Sequence, residues 1–448
     1  MKPRLAQSNG HVSVRPKILL TDTNRWPLGP RLAMALTGMG GEVSVVCPYP
    51  GHPATKTSAV RQTLPYLGRQ PLASLRRAIE TVDPDIIVPL CGRSVDHLHE
   101  LYKSEPASGG KKSRIACLIE YSLGSPDSFP IVSGRYKLLQ TARSEGIRIP
   151  ETIEIETSAQ LEHLCEQMPL PWVIKADGSS GGRGVRMAKT MEEARRDWFH
   201  LRQRPNLMEL IKRLSLNRDR AWILSDHNRP LPRVVVQSFV HGRPANCAVV
   251  CWQGKLLAGI AVQVVQAQGP TEPALVVEVV EGKEMLTAAE MLAARLNLSG
   301  FFGLDFMIEE GTGQTYLIEM NPRCAPPCAM PLGPGHDLVA AFWAQLTGLP
   351  LHERNPATKK SRIIYFPSNW GHALPAPEVT PEEETYYDVP DGEPELVKEM
   401  LRPWSARSLL GQALDFVRKI VSPREAESNY VFDTSTRAKS DTISLISP

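Results

Sequence analysis

Long apolar runs are missing from this chain. No unbroken stretch approaches the roughly twenty residues that cross a bilayer as a helix, and no leader-like segment precedes the first strand pattern. The expectation is a cytoplasmic protein without a membrane partner. An excess of one charge is missing too: 51 basic residues against 48 acidic ones leave a formal charge of +3, which gives no electrostatic footprint for nucleic acid or a membrane surface. The locally basic stretch from Arg202 to Arg220 reads as a solvated helix face. Cysteines stand at 47, 91, 117, 165, 247, 251, 324 and 328, and neither Cys247-x-x-x-Cys251 nor Cys324-x-x-x-Cys328 has a standard zinc spacing. Free thiols in a reducing compartment are expected. There is no internal repeat.

What is present is concentrated in two segments. The segment Asp305-Phe-Met-Ile-Glu-Glu-Gly-Thr-Gly-Gln-Thr-Tyr-Leu-Ile-Glu319-Met-Asn-Pro-Arg323 reads as a hairpin turning at Gly311-Thr312-Gly313. The expected register pairs Glu310 with Gln314, Ile308 with Tyr316, Phe306 with Ile318, Leu304 with Met320 and Asp305 with Glu319. Period-two alternation then puts Leu304, Phe306, Ile308, Tyr316, Ile318 and Met320 on a core face, and Asp305, Glu319 and Asn321 on the other. Two carboxylates opposed across a strand pair repel unless a cation or a proton lies between them. Oxygen donors of this kind suit magnesium or manganese, which binds through one or two carboxylates together with substrate phosphates. The alternative is a solvated hairpin face with its acids splayed apart.

The second segment, Lys175-Ala-Asp-Gly-Ser-Ser-Gly-Gly-Arg-Gly-Val185, places a lysine at the end of an apolar run, before a glycine-rich loop. Gly178, Gly181, Gly182 and Gly184, with Ser179 and Ser180 between, allow backbone N–H groups to approach phosphates. The lysine precedes the glycines, so the order is not Walker A, and the spacing is not a Rossmann fingerprint. A short strand from Val185 and a Thr190-x-x-Glu193 cap opening a helix through Trp198 come next, so the loop reads as a strand-to-strand flap.

In combination these motifs make the chain resemble ATP-grasp enzymes of the carbamoyl-phosphate-synthase-like and carboxylate-amine ligase type, over residues from about 15 to 350. The resemblance implies that Lys137, in Ser133-Gly-Arg-Tyr-Lys137, and Lys175 contact nucleotide phosphates. It implies adenine contacts from Gln237, Phe239 and Val240, with Met307 and Ile318 sandwiching the ring. Asp305, Glu319 and Asn321 match magnesium ligands, and Arg323 matches the arginine that steadies the transferred phosphoryl group. Two positions depart from the pattern: Pro244 stands where a ribose-binding glutamate is usual, and Gly303 where some members carry an arginine. Taken singly, a strand-end lysine is most often solvated, and Phe239, Met307 and Ile318 are more often core than ligand contacts. Their order along the chain carries the reading.

The expected fold class is α/β and α+β, an ATP-grasp fold preceded by a Rossmann-like parallel-sheet domain. Residues 1–14 form an arm, 15–130 the β-α-β domain, 131–235 a linker helix and small subdomain with the flap, 236–352 the large subdomain with the metal hairpin, and 353–448 a partly irregular extension. Pro375 to Pro394, rich in proline and acid, reads as an extended excursion. Glu278, on a strand over 274–280, and the loop 264–273 are candidates for an acceptor pocket. Asp22, Asn24, Arg25 and Trp26 follow the first strand at the edge where open α/β sheets hold ligands, where they either cap the turn or touch substrate. The activity implied by the resemblance is ATP-dependent activation of a carboxylate as an acyl phosphate, joined to an amine or other nucleophile. A nucleotide-binding module without turnover and a bicarbonate-activating enzyme are the alternatives, and a homodimer is left open.

Overall fold

Alternating strand and helix segments cannot pair through tight turns, so the start of the chain has to close as a parallel sheet. The structure is a computed structural model that describes residues 15–402 apart from 49–50, 108–109, 179–183, 204–230, 268, 270, 272 and 368–384. Its first unit contains β1 (Lys17–Thr21), α1 (Leu28–Gly38), β2 (Glu42–Cys47), β3 (Gln62–Pro65), α2 (Pro71–Val82), β4 (Ile86–Pro89), α3 (Gly92–Ser104) and α4 (Arg114–Leu123). The strands lie in the order β3-β2-β1-β4, all parallel. A short helix, α5 (Phe129–Val132), and the linker helix α6 (Arg135–Ser144) lead out of it.

The small lobe follows, with β5 (Thr152–Glu154), α7 (Ser158–Gln167), β6 (Trp172–Ala176), β7 (Val185–Ala188), α8 (Met191–Arg202) and β8 (Val234–Ser238). Its sheet runs β5-β8-β6-β7, antiparallel throughout. The cap expected at Thr190 forms, its hydroxyl accepting from the Glu193 N–H. The large lobe contains β9 (Gly242–Trp252), β10 (Lys255–Ala267), β11 (Ala274–Val280), α9 (Lys283–Leu296), β12 (Gly300–Glu309), β13 (Thr315–Asn321) and α10 (Leu338–Thr347).

Beyond residue 350 the chain is more regular than its proline content suggests. Over the described residues, β14 (Arg362–Tyr365) pairs antiparallel with β11, β15 (Thr385–Asp388) pairs parallel with β14, and α11 (Pro394–Leu401) closes the extension. The large sheet therefore runs β13-β12-β9-β10-β11-β14-β15, seven strands. The part of the expected irregular excursion at 385–388 is a strand because its tyrosines find a sheet edge to join, and only tertiary context offers that edge. The arm 1–14, the stretch 204–220, the flap centre 179–183 and the tail from Pro423 lie outside the described residues.

The two faces of the large sheet have different partners. One packs Cys247, Val249, Phe302, Leu304, Phe306, Leu317 and Met320 against Ala289 and Leu292 of α9, and against Leu138 and Leu139 of α6. The other places Ala248, Val250 and Phe301 in one continuous core with Ile18 and Leu20 of β1, Leu32 of α1 and Phe342 of α10. The parallel sheet and the large lobe are thus built on shared apolar contacts, whereas the small lobe has a core of its own around Trp172, Ile174, Trp198 and Val236. All eight cysteines are free. No described helix is long and apolar enough to cross a membrane.

Candidate active site

The hairpin β12–β13 departs from simple alternation at one residue. Leu304 faces Met320 and Asp305 faces Glu319, as expected, but the register then slips and Phe306 faces Leu317, Met307 faces Tyr316 and Ile308 faces Thr315. Ile318 is the extra residue of a bulge. Leu317 and Met320 are buried in the core while Ile318 and Glu319 between them are only half-buried. The expected core face is therefore corrected: Leu317 occupies the place read for Ile318, and Tyr316 leaves the core. The slip also reconciles two readings of Ile318 that a straight strand cannot satisfy. Side chains directly opposed in a sheet share a face, so Asp305, Met307, Glu319 and Asn321 look into the cleft, with Ile318 carried to the same side.

The neighbouring strand adds to this face. Asn246 of β9 lies directly opposite Asp305, and its Oδ1 is buried with no hydrogen-bond partner. Pro244 is opposite Met307, two residues along the same face, so the cleft has no carboxylate at that place. Gly303 is opposite Asn321, and a Cβ there would stand 3.1 Å from the Ala325 Cβ. An arginine at 303 would have to push that wall aside, so the departure at this position is built into the packing. Gly242, at the hinge, is required for the same kind of reason: a Cβ would fall 2.0 Å from the Ile308 carbonyl oxygen. By contrast Glu278 pairs with Gln263, which pairs with Ala245, and so falls on the face turned away from Asp305. Its candidacy for the acceptor pocket ends there.

Three cations converge on the acids. Lys175, the penultimate residue of β6, is only 4% exposed, and its Nζ donates to the Ile318 carbonyl at 3.2 Å. Burial and the adjacent Arg135 bring its pKa down to about 8, against the pull of Glu319 and Asp305. Arg135 opens α6: its backbone N–H donates to Asp177 Oδ1 (3.3 Å), Nη1 to the Ala176 carbonyl (3.3 Å) and Nη2 to Glu319 Oε1 (2.7 Å). Arg323 Nη2 donates to Asn321 Oδ1 at 3.1 Å, Asn321 Nδ2 donates to Asp305 Oδ2 at 2.7 Å, and the Arg323 guanidinium stands 5.7 Å from the Trp26 ring centroid. Trp26 is thus brought from the β1 edge to the cleft. Asp22 instead caps the turn, accepting from the Asn24 N–H, and holds His52 at 3.2 Å.

The acids respond to opposite pressures. Burial and the facing Glu319 push Asp305 up to about 6, against Arg323, Lys175 and the Asn321 amide. Burial also pushes Glu319 up, but Arg135, Lys175 and Arg323 together outweigh it and hold the group below the usual carboxylate range. Among the described residues no three His, Cys, Asp or Glu side chains form a metal cluster. The donor set here is two carboxylates with the amide oxygens of Asn321 and Asn246 beside them, all hard oxygens, and it fits magnesium or manganese better than zinc.

Lys137 is exposed. Arg135 is the basic residue that the linker helix brings in, and sequence reading missed it. A signal was there: Arg135, Leu138, Leu139 and Ala142 stand at i, i+3, i+4 and i+7, and the last three are buried. Lys137 lies about 200° around from Arg135 at 100° per residue. Of the hinge, Gln237 is buried and its Nε2 donates to Thr152 Oγ1 at 3.1 Å, Phe239 stacks edge-on to His241, and Val240 is buried. Gly178 and Gly184 flank the flap at the ends of β6 and β7.

Residues 219–327 match the ATP-grasp domain family. No curated protein matches the chain by sequence. Among solved structures it is similar to carboxyaminoimidazole ribonucleotide synthase of Aspergillus clavatus complexed with ATP, with a TM-score of 0.54 at 16% identity over 76% of this chain and 80% of that one. It is also similar to N5-carboxyaminoimidazole synthetase of Staphylococcus aureus complexed with ADP, with a TM-score of 0.53 at 13% identity over 76% and 80%. A third is the biotin carboxylase domain of Hydrogenobacter thermophilus 2-oxoglutarate carboxylase, with a TM-score of 0.53 at 14% identity over 77% and 72%. Domain match and fold agree that the segment 219–327 is ATP-grasp-like and that the chain has the fold of these neighbours, its acid-lined cleft built behind a parallel α/β sheet.

Proposed function

We propose that the protein is an ATP-dependent ligase that activates a carboxylate as an acyl phosphate and joins it to an amine or another nucleophile, releasing ADP and phosphate. The observation that carries this reading is the opposed pair Asp305 and Glu319, ringed by Arg135, Lys175 and Arg323. Phosphoryl transfer requires positioning and charge neutralisation more than a protein nucleophile, and this cleft is rich in both signs of charge at short range. Asp305, Glu319 and Asn321 would hold magnesium or manganese, which when bound neutralises phosphate charge. Arg135, Lys175 and the loop 178–184 would grip the phosphates, while Gln237, Phe239, Val240, Met307 and Ile318 would surround adenine. Arg323 would steady the phosphoryl group as a carboxylate oxygen attacks the terminal phosphorus and the bond to ADP breaks. The nucleophile would then attack the acyl carbon, expelling phosphate.

The test is magnesium-dependent ADP release against pools of amino acids, small carboxylates and bicarbonate, with hydroxylamine present. ADP together with a hydroxamate is expected, and the mass of the hydroxamate identifies the acid. Release of AMP and pyrophosphate would refute the proposed chemistry.

A further inference from the structure

One side of α3 grips both ends of the turn that launches Arg135. The His99 ring lies on Phe129 with centroids 3.8 Å apart and planes 12° from parallel, and Tyr102 meets the same ring edge-on at 5.6 Å. His99 Nδ1 is 3.1 Å from Ser133 Oγ, and that hydroxyl donates to Asp96 Oδ1 at 3.3 Å. With the hydroxyl proton directed to Asp96, the imidazole must be the donor to Ser133, which fixes its Nδ1–H tautomer. Burial, with Lys103 nearby, keeps the ring neutral by lowering its pKa to about 3. Phe129 and Ser133 belong to one turn, closed by the Ser133 N–H donating to the Phe129 carbonyl at 3.0 Å. Two residues later Arg135 reaches Glu319.

We propose that His99 is a positioning residue for the nucleotide cleft: through Phe129 and Ser133 it sets where the Arg135 guanidinium meets Glu319 and the Ala176 carbonyl. Its effect on nucleotide rests on the reading that the cleft takes ATP; its effect on Arg135 does not. A misplacement of about 1 Å at such a group can cost up to about a hundredfold in a positioned step, so a part of Arg135's contribution should be lost with His99.

The test uses the full chain with His99→Ala, His99→Asn, Arg135→Ala and the His99→Ala/Arg135→Ala double variant. Amide hydrogen exchange over residues 133–138 without nucleotide is the first readout, and calorimetric affinity for magnesium with the β,γ-imido analogue of ATP the second. His99→Ala should speed exchange there by about tenfold, the equivalent of one lost hydrogen bond, and weaken the analogue by a similar factor. His99→Asn, which keeps an N–H toward Ser133 but loses the stack on Phe129, should restore both in part. In the Arg135→Ala background the loss of His99 should cost no further affinity. Unchanged exchange, or a His99→Ala penalty of the same size with Arg135 already removed, would overturn the proposal. If the unsubstituted protein fails to bind the analogue, the ATP reading falls, and the exchange readout alone decides for or against the positioning of the turn.

Discussion

The two lobes that form the cleft are held by different forces. The large lobe is fused to the parallel sheet through one core that runs from Ile18 to Phe342, so Asp305 and Glu319 sit on a rigid wall. The small lobe has its own core, and the contacts described across the cleft are polar: Lys175 to the Ile318 carbonyl, and Arg135 to Asp177, Ala176 and Glu319. Close-packed apolar interfaces resist sliding, whereas a hydrogen bond to a charged group can be exchanged for one to a phosphate at little net cost. The difference assigns precision to the acids and adaptability to the cations.

The largest effect that would break this contrast comes from the acids. Asp305→Asn or Glu319→Gln is expected to lower ADP release by about three orders of magnitude or more while circular dichroism remains native, because a preorganised charge is lost without a cavity. An active double variant would sink the assignment. On the core face of the same strand, Phe306→Ala should do the reverse, costing about 3–5 kcal/mol of stability in denaturant titrations through the cavity it leaves.

The cations should give smaller, separable losses. Arg135→Ala is expected to weaken ATP by about tenfold to a hundredfold, the range of a hydrogen bond to a charged group of about 1.5–3 kcal/mol, and Lys137→Ala should leave titration calorimetry within about twofold of wild type. Equal losses at the two positions would refute the placement of the linker helix. The smallest effect is a pH dependence. Lys175 has a folded pKa of about 8, below its ordinary value, so its charge declines as pH rises through 8, and the grip on phosphates proposed for it should decline with it. Between that value and the unfolded pKa of about 10.4 the unfolded chain binds more protons at this group, so its contribution to stability is largest above the unfolded pKa and is lost as pH falls through 8. Lys175→Arg should flatten the alkaline decline in ATP affinity; an unaltered profile would assign it to another group.

Local patterns in the sequence carried much of this architecture. The β-α-β start, α9 and the opposition of Asp305 to Glu319 come from periodicity and turn residues, which act over a few positions. The bulge at Ile318 does not, because straight and bulged pairings share the same alternation until the core selects Leu317 over Ile318. Nor does the choice of Arg135 over Lys137, since both are basic and only helix phase says which one faces inward. Glu278 falls on the far face because strand alternation gives two faces without saying which looks into the cleft. The regularity beyond 350 was hidden for a related reason: β14 offers an edge to Thr385–Asp388 only once it has paired with β11, a strand far earlier in the chain.

The bulge also acts as a phase shifter in the strand code. A regular strand alternates its side chains between solvent and core, so an apolar side chain and a carboxylate cannot be adjacent on one side of it. By inserting one residue, β13 presents Ile318 and Glu319 consecutively to the cleft, then resumes alternation with Met320 back in the core. Deleting Ile318 would leave the composition of the cleft almost intact and yet scramble the pairing: the strand would have to choose between keeping Leu317 beside Phe306 and keeping Glu319 beside Asp305.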